Sequence, residues 1–134
     1  MKNAAACLLI TAAALLLLAA CGSEPVRAVK GAVQGAFQPR GDKLLTDGIR
    51  QFEDASYPAA SRSLQGALTE GLSTANQVKA HKYLAFIHCV SERRQQCQDE
   101  FRKALQLDPG MELSPAEAGH PSWGPVFRSA KARG

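Results

Sequence analysis

The sequence lacks the short motifs that carry much of enzyme chemistry. It has no Gly-x-Ser-x-Gly nucleophile turn, no phosphate-binding loop and no His-Glu-x-x-His pair. Its acidic residues, such as Asp99 and Glu100, fall on predicted solvent faces, whereas paired catalytic carboxylates need burial. We therefore predict that the protein is not an enzyme and that it uses no cofactor and no small-molecule substrate.

An excess of charge of one sign is also missing. The 134 residues contain 16 Lys and Arg against 12 Asp and Glu, a formal charge of +4. Proteins that bind nucleic acid usually concentrate a strongly basic surface, because phosphate contacts dominate their affinity. The near-neutral balance argues against nucleic acid and leaves a protein as the expected partner.

Long hydrophobic runs are absent except for one, at residues 4–20, where every residue is uncharged and only Thr11 is not hydrophobic. The run follows Met1-Lys2-Asn3 and is marginal for spanning about 30 Å of hydrocarbon. A short positive start followed by such a run is typical of an export signal. Without residues 1–20, the chain has the composition and length of one small domain with a modest core.

The end of this run, Leu18-Ala19-Ala20-Cys21, resembles the bacterial lipobox. The resemblance implies that residues 1–20 are a signal peptide removed together with Cys7. It also implies that Cys21 becomes the lipid attachment site, carrying diacylglycerol and an amide-linked fatty acid such as palmitate. The alternative is an ordinary signal peptide with a chance Cys21.

Gly22, and not Asp, follows the lipobox cysteine. In this respect the chain resembles lipoproteins that are sorted to the outer membrane. We therefore expect a lipid-anchored protein of the cell outer membrane that faces the periplasm, with inner-membrane anchoring as the alternative. Residues 21–40 contain several Gly and two Pro, which lower helix propensity. They predict a flexible or partly helical tether.

The body of the chain repeats with an offset of 37 residues, between segments 41–72 and 78–109. Four small or apolar pairs share this offset: Gly48 and Ala85, Ala60 and Cys97, Leu64 and Phe101, Ala67 and Ala104. Together with Ala104-Leu105-Gln106-Leu107-Asp108-Pro109, the pattern resembles the tetratricopeptide repeat, a pair of antiparallel helices. It predicts an all-α fold of two helical hairpins, at 41–73 and 75–108, followed by a C-terminal capping segment at 110–134.

Four helices are expected, over residues 42–55, 58–71, 74–90 and 92–107. In the tail, Ser114-Pro115-Ala116-Glu117 is a capping box that begins a helical turn, and Pro125 opens a last helix through Lys131. Two repeats leave an apolar end that must be covered. We expect Trp123, Val126 and Phe127 to cover the fourth helix. The alternative is that Trp123 is an exposed binding anchor.

Cys89 and Cys97 are the two cysteines that remain beside Cys21 in the processed chain. An even pair in an oxidising compartment favours a disulfide across the second hairpin. The alternative is that the Cys97 thiol serves as plain packing. His81 and His88 stand near these cysteines, but the spacing matches no compact ligand pair, so no metal site is predicted.

The repeat resemblance implies that the first helices of the hairpins line a concave groove for a protein partner. By position, that groove comprises Asp42, Leu45, Ile49, Phe52, Lys79, Lys82, Phe86 and Cys89. Lys82 matches a lysine that clamps peptide carboxylates in chaperone-type repeats, but the accompanying asparagines are absent. An amphipathic helix or an extended apolar segment is the expected guest. The alternative is that these residues pack against the tail.

A closer resemblance comes from residues 82–90, 97–105, 113–121 and 123–128. These segments contain the paired cysteines and the His-Pro-x-Trp-Gly-Pro sequence, and they are similar to the TssQ family of type VI secretion-associated lipoproteins. The resemblance implies an accessory, lipid-anchored interaction module near the membrane complex of the secretion system. Two alternatives remain: an assembly lipoprotein for outer-membrane proteins or pili, and a structural envelope lipoprotein without a dedicated guest.

Overall fold

The computed structural model describes residues 39–133, which form helices and no strand, so the predicted all-α class is confirmed. In chain order the helices are α1 (Arg40–Glu53), α2 (Tyr57–Glu70), α3 (Thr74–Val90), α4 (Arg94–Leu107), α5 (Pro115–Ala118) and α6 (Gly124–Lys131). The expected signal peptide, Cys21 and nearly all of the expected tether lie outside the described residues. None of the described helices is long and apolar enough to cross a membrane.

The helices pair as the internal repeat predicts. Helix α1 packs against α2, α3 packs against α4, and α2 and α3 join the two hairpins. The predicted bounds of α3 are confirmed, while α1 and α4 begin two residues away from their predicted starts. A polar contact also links the hairpins, because the Asn76 amide at the start of α3 donates to the Asp42 carboxylate over 2.8 Å.

The backbone repeats with the same 37-residue offset as the sequence. Helix α2 shifted by 37 residues coincides with α4. Both hairpin turns place a non-glycine residue in the left-handed region, Ala55 at φ 58° and Glu92 at φ 60°. In the first turn, the Ser56 N–H donates to the Gln51 carbonyl, and the bond 37 residues later is also present. This pattern is the Schellman motif, which ends a helix by satisfying its last carbonyls.

The paired positions of the repeat form the interior of the two hairpins. A Cβ added at Gly48 would lie 2.8 Å from Leu64 Cγ, so this site accepts only glycine at the observed spacing of α1 and α2. All eight residues are buried: Gly48, Ala60, Leu64, Ala67, Ala85, Cys97, Phe101 and Ala104. Small residues at these positions let the helices approach closely, and Leu64 and Phe101 fill the space beside them.

The left-handed Ala55 provides a direct test of this turn. Replacing Ala55 by Gly should raise the free energy of unfolding by roughly 0.5–1 kcal/mol, because Gly has no Cβ to strain at positive φ. The measurement is equilibrium unfolding in urea. The matched control, Ala59→Gly in the first turn of α2, should lower stability by a similar amount. A loss of stability at Ala55 as well would contradict the assigned turn.

The C-terminal segment returns over the second hairpin. The predicted capping box is confirmed: Ser114 Oγ accepts from the Glu117 N–H, and the Glu117 carboxylate accepts from the Ser114 N–H. Helix α6 then packs against α4, with the rings of Phe127 and Phe101 5.2 Å apart. The buried apolar residues of this segment share one cluster with Phe86 and Phe101: Met111, Leu113, Trp123, Val126, Phe127 and Ala130.

Candidate interaction surface

The end of α3 and the start of α4 are joined covalently. Cys89 and Cys97 form a disulfide with their Cα atoms 5.2 Å apart, so the predicted bond is confirmed. Cys97 is fully buried, whereas Cys89 is half-buried. Because both cysteines are oxidised, neither thiol is free to act as the plain packing group considered for Cys97 or as a metal ligand.

The tail occupies the part of the predicted groove that belongs to the second hairpin. Trp123 stacks on Phe86, with ring centroids 4.3 Å apart, and its indole N–H donates to the Glu117 carbonyl over 2.8 Å. Phe86 is only 1% exposed and Trp123 only 9%. Phe86 is therefore a core residue rather than a groove residue, and the alternative that Trp123 is an exposed anchor is wrong.

Lys82 is engaged within the chain as well. Its ammonium lies 2.6 Å from the Glu117 carboxylate and over the rings of Tyr83 and Phe86. Burial raises the pKa of Glu117, but hydrogen bonds from Lys82 and Ser114 outweigh it and leave that pKa below its ordinary value. Since Glu117 already supplies the counter-charge, the Lys82 ammonium is not available to bind the carboxylate of a guest in this arrangement.

The first-hairpin half of the predicted groove is also partly filled. Leu45 is 4% exposed and belongs to the core between α1, α2 and α3, because this face of α1 meets both neighbouring helices. Ile49 and Phe52 are half-buried. The Phe52 ring lies 5.2 Å from that of Tyr83. Leu45 is thus a core residue, and its assignment to the groove is wrong, as it is for Phe86. The apolar groove expected from the sequence is reduced to the exposed edges of a few side chains.

The two remaining polar groove candidates differ in their surroundings. Asp42 is half-buried and holds the Asn76 amide across the junction of the hairpins. Lys79 is exposed one turn before Lys82. Of the eight candidates for the predicted groove, Lys79 is therefore the one residue that is exposed.

A polar pair between α3 and α4 was not predicted from the sequence. His81 Nδ1 lies 2.6 Å from the Glu100 carboxylate, with both side chains less than one-fifth exposed. Burial raises the pKa of Glu100, but hydrogen bonds from His81 and Lys103 outweigh it and lower that pKa below its ordinary value. Glu100 was expected on a solvent face. Its partner lies 19 residues away, on another helix, which periodicity alone does not reveal.

Metal ligands do not gather in the described part of the chain. Among residues 39–133, no three His, Cys, Asp or Glu side chains are placed so that they could hold a metal ion. His88 is half-buried, and its pKa is lowered by burial and by the nearby charge of Arg93. The disulfide joins α3 to α4, and the cap packs on the same helices, so both features belong to the second hairpin.

Comparison with known proteins does not assign the chain to a family. No family model matches the chain, and neither the curated proteins nor the solved structures contain a significant match.

Proposed function

We propose that the protein is an exported lipoprotein, acylated at Cys21, that holds a helical module in the periplasm to bind a protein of the cell envelope. The observation that carries the proposal is the Cys89–Cys97 disulfide. Such bonds form and persist in oxidising compartments and are rare in the bacterial cytosol. A disulfide in the folded module and a lipobox at residue 21 both point to the same side of the inner membrane.

The proposed partner belongs to a type VI secretion system, which the protein serves as an accessory component. Four segments support this assignment by their resemblance to the TssQ family, and they are not scattered over the surface. Residues 82–90 lie in α3, residues 97–105 in α4, and residues 113–121 and 123–128 in the cap. Contacts such as Lys82 to Glu117 and Phe86 to Trp123 join these segments into one unit. The resemblance is therefore confined to parts of one structural unit, the second hairpin with its cap.

The lipid anchor is tested by changing the acylated cysteine. Cys21→Ala should abolish labelling by radioactive palmitate and move the protein from the membrane fraction to the soluble periplasm. This change is expected because the acyl chains contribute about 0.8 kcal/mol of membrane affinity per buried methylene. Cys7→Ala is the matched control and should leave both labelling and fractionation unchanged. A Cys21→Ala protein that remains labelled and membrane-bound would show that the lipid is not attached there.

The partner is tested in the same strains by crosslinking intact cells and purifying the protein. Capture of components of a secretion membrane complex by the wild-type protein, and a weaker capture by Cys21→Ala, would support the proposal. Capture of barrel-assembly or pilus proteins instead would favour an assembly lipoprotein. If no envelope protein is captured reproducibly, the structural-lipoprotein alternative gains the support.

A further inference from the structure

A cavity of about 350 Å³ lies between the start of α2 and the end of α3, away from the predicted groove. Both hairpins contribute to it, and its volume falls within the range of small-ligand sites. The side chains that matter for its chemistry are Tyr57, Pro58, Ser61, Arg62, Ser91 and Arg93. The repeat pattern did not single out this place, because the cavity lies at the junction between the hairpins.

The charge of this cavity is one-sided. Arg62 and Arg93 both line it, and no acidic side chain does. Within residues 39–133 neither guanidinium pairs with a carboxylate, whereas other exposed arginines, such as Arg50 and Arg102, do. Two exposed cations that face one concavity without a counter-charge raise the local potential and attract an anion.

The remaining walls indicate what kind of anion fits. Three hydroxyl-bearing residues, Tyr57, Ser61 and Ser91, line the cavity together with the two arginines, and the exposed ring of Pro58 provides an apolar wall. A guanidinium binds a carboxylate through two parallel hydrogen bonds. Arg and Tyr are also enriched among the residues that contribute most to binding energy at protein interfaces. An apolar wall suits the methylene stem of an acidic side chain better than it suits a bare inorganic anion.

We propose that this cavity is a docking point for an acidic segment of a protein partner, with a Glu or Asp carboxylate held between Arg62 and Arg93. The inference rests on the proposed function as a protein-interaction module and adds the chemistry of the partner. It moves the interaction surface from the tail-filled groove to the junction of α2 and α3. There both cations are exposed and no acidic side chain lines the cavity.

The test is the binding of a fluorescein-labelled peptide of glutamates and leucines to the purified full-length chain in nonionic detergent, followed by fluorescence anisotropy. The double variant R62Q/R93Q should weaken binding by about tenfold or more, since two charge-assisted contacts are lost. Arg94→Gln is the control, because it removes one positive charge from a neighbouring residue that does not line the cavity. It should change binding by less than about twofold, and a peptide with glutamine for glutamate should bind weakly to all proteins.

Three results would overturn the inference: equal losses in Arg94→Gln and in the double variant, equal binding of the glutamine peptide, or arginine-dependent binding of inorganic phosphate without binding of the peptide. Thermal unfolding of each variant keeps the comparison sound, because substitution of exposed arginines should leave the fold intact. The outcome is also independent of the anchor. Failure of peptide binding would leave the Cys21 result and the crosslinked partners standing, and the reverse holds as well.

Discussion

Replacing Trp123 by alanine should lower the free energy of unfolding by about 3–5 kcal/mol. Trp123 is 9% exposed, stacks on Phe86 and donates its indole N–H to the Glu117 carbonyl. Truncation to Cβ leaves a cavity beside Phe86 and removes that hydrogen bond. For a domain of this size, such a loss lowers the melting temperature by more than about 12 °C. Circular dichroism during thermal unfolding measures the change in melting temperature. Tryptophan fluorescence is unsuitable, because the variant lacks the sole tryptophan of the chain.

Trp123→Phe separates packing from hydrogen bonding in this prediction. Phenylalanine keeps an aromatic ring over Phe86 but has no N–H for the Glu117 carbonyl, so it should cost roughly 1–2 kcal/mol. An alanine variant that melts within about 3 °C of the wild type would mean that the C-terminal segment is not part of the folding unit. The cap would then have no role in holding the second hairpin.

Loss of the Cys89–Cys97 disulfide should lower the free energy of unfolding by roughly 2–3 kcal/mol. The bond closes a short loop with a sequence separation of 8, and its main effect is to restrict the unfolded chain. The double variant C89A/C97A is the suitable test, because Cys97 is fully buried and alanine adds no polar group there. Chemical denaturation of the oxidised wild type and the variant gives the difference.

Reduction of the wild type provides the control for this result. Dithiothreitol should lower wild-type stability toward that of C89A/C97A and leave the double variant unchanged. Labelling of the native protein with a thiol reagent should find neither cysteine reactive before reduction. Two reactive thiols in the native protein, or equal stability with and without the reductant, would refute a stabilising disulfide.

These two features determine which surfaces of the two hairpins remain exposed. The disulfide holds the turn between α3 and α4, and Trp123 of the cap covers Phe86 on α3. A partner that used the same face would have to displace much of the core cluster that contains Phe86 and Phe127. We therefore expect binding at surfaces that are already exposed, with little change in the fold of the module.

The helices were largely predictable because their causes are local. Apolar spacing, Pro58 near the start of α2 and the Ser114–Glu117 capping box each act within a few residues of the chain. The 37-residue offset could also be read from the sequence, since the two hairpins place similar residues at equivalent buried positions. Gly48 and Ala85, for instance, hold equivalent buried positions in α1 and α3.

The contents of the groove were not predictable by the same means. Whether Phe86 faces a partner or Trp123 depends on the path of the chain after Leu107, and no local rule sets that path. The ion pair of Lys82 with Glu117 spans 35 residues, and the pair of His81 with Glu100 spans 19. Lys82, which the repeat resemblance placed in the groove, and Glu100, which was expected on a solvent face, therefore form ion pairs within the chain.

The helical class, the two-hairpin repeat, the capping box and the pairing of Cys89 with Cys97 could all be inferred from the amino-acid sequence alone. Each follows from residues that interact within one helix, across one turn or through a regular spacing. The packed structure was needed to show that the tail covers Phe86, that Leu45 is core, and that Arg62 and Arg93 line one cavity. These outcomes depend on how separate helices pack against each other, because residues distant in the sequence determine the burial and the charged neighbours of each side chain.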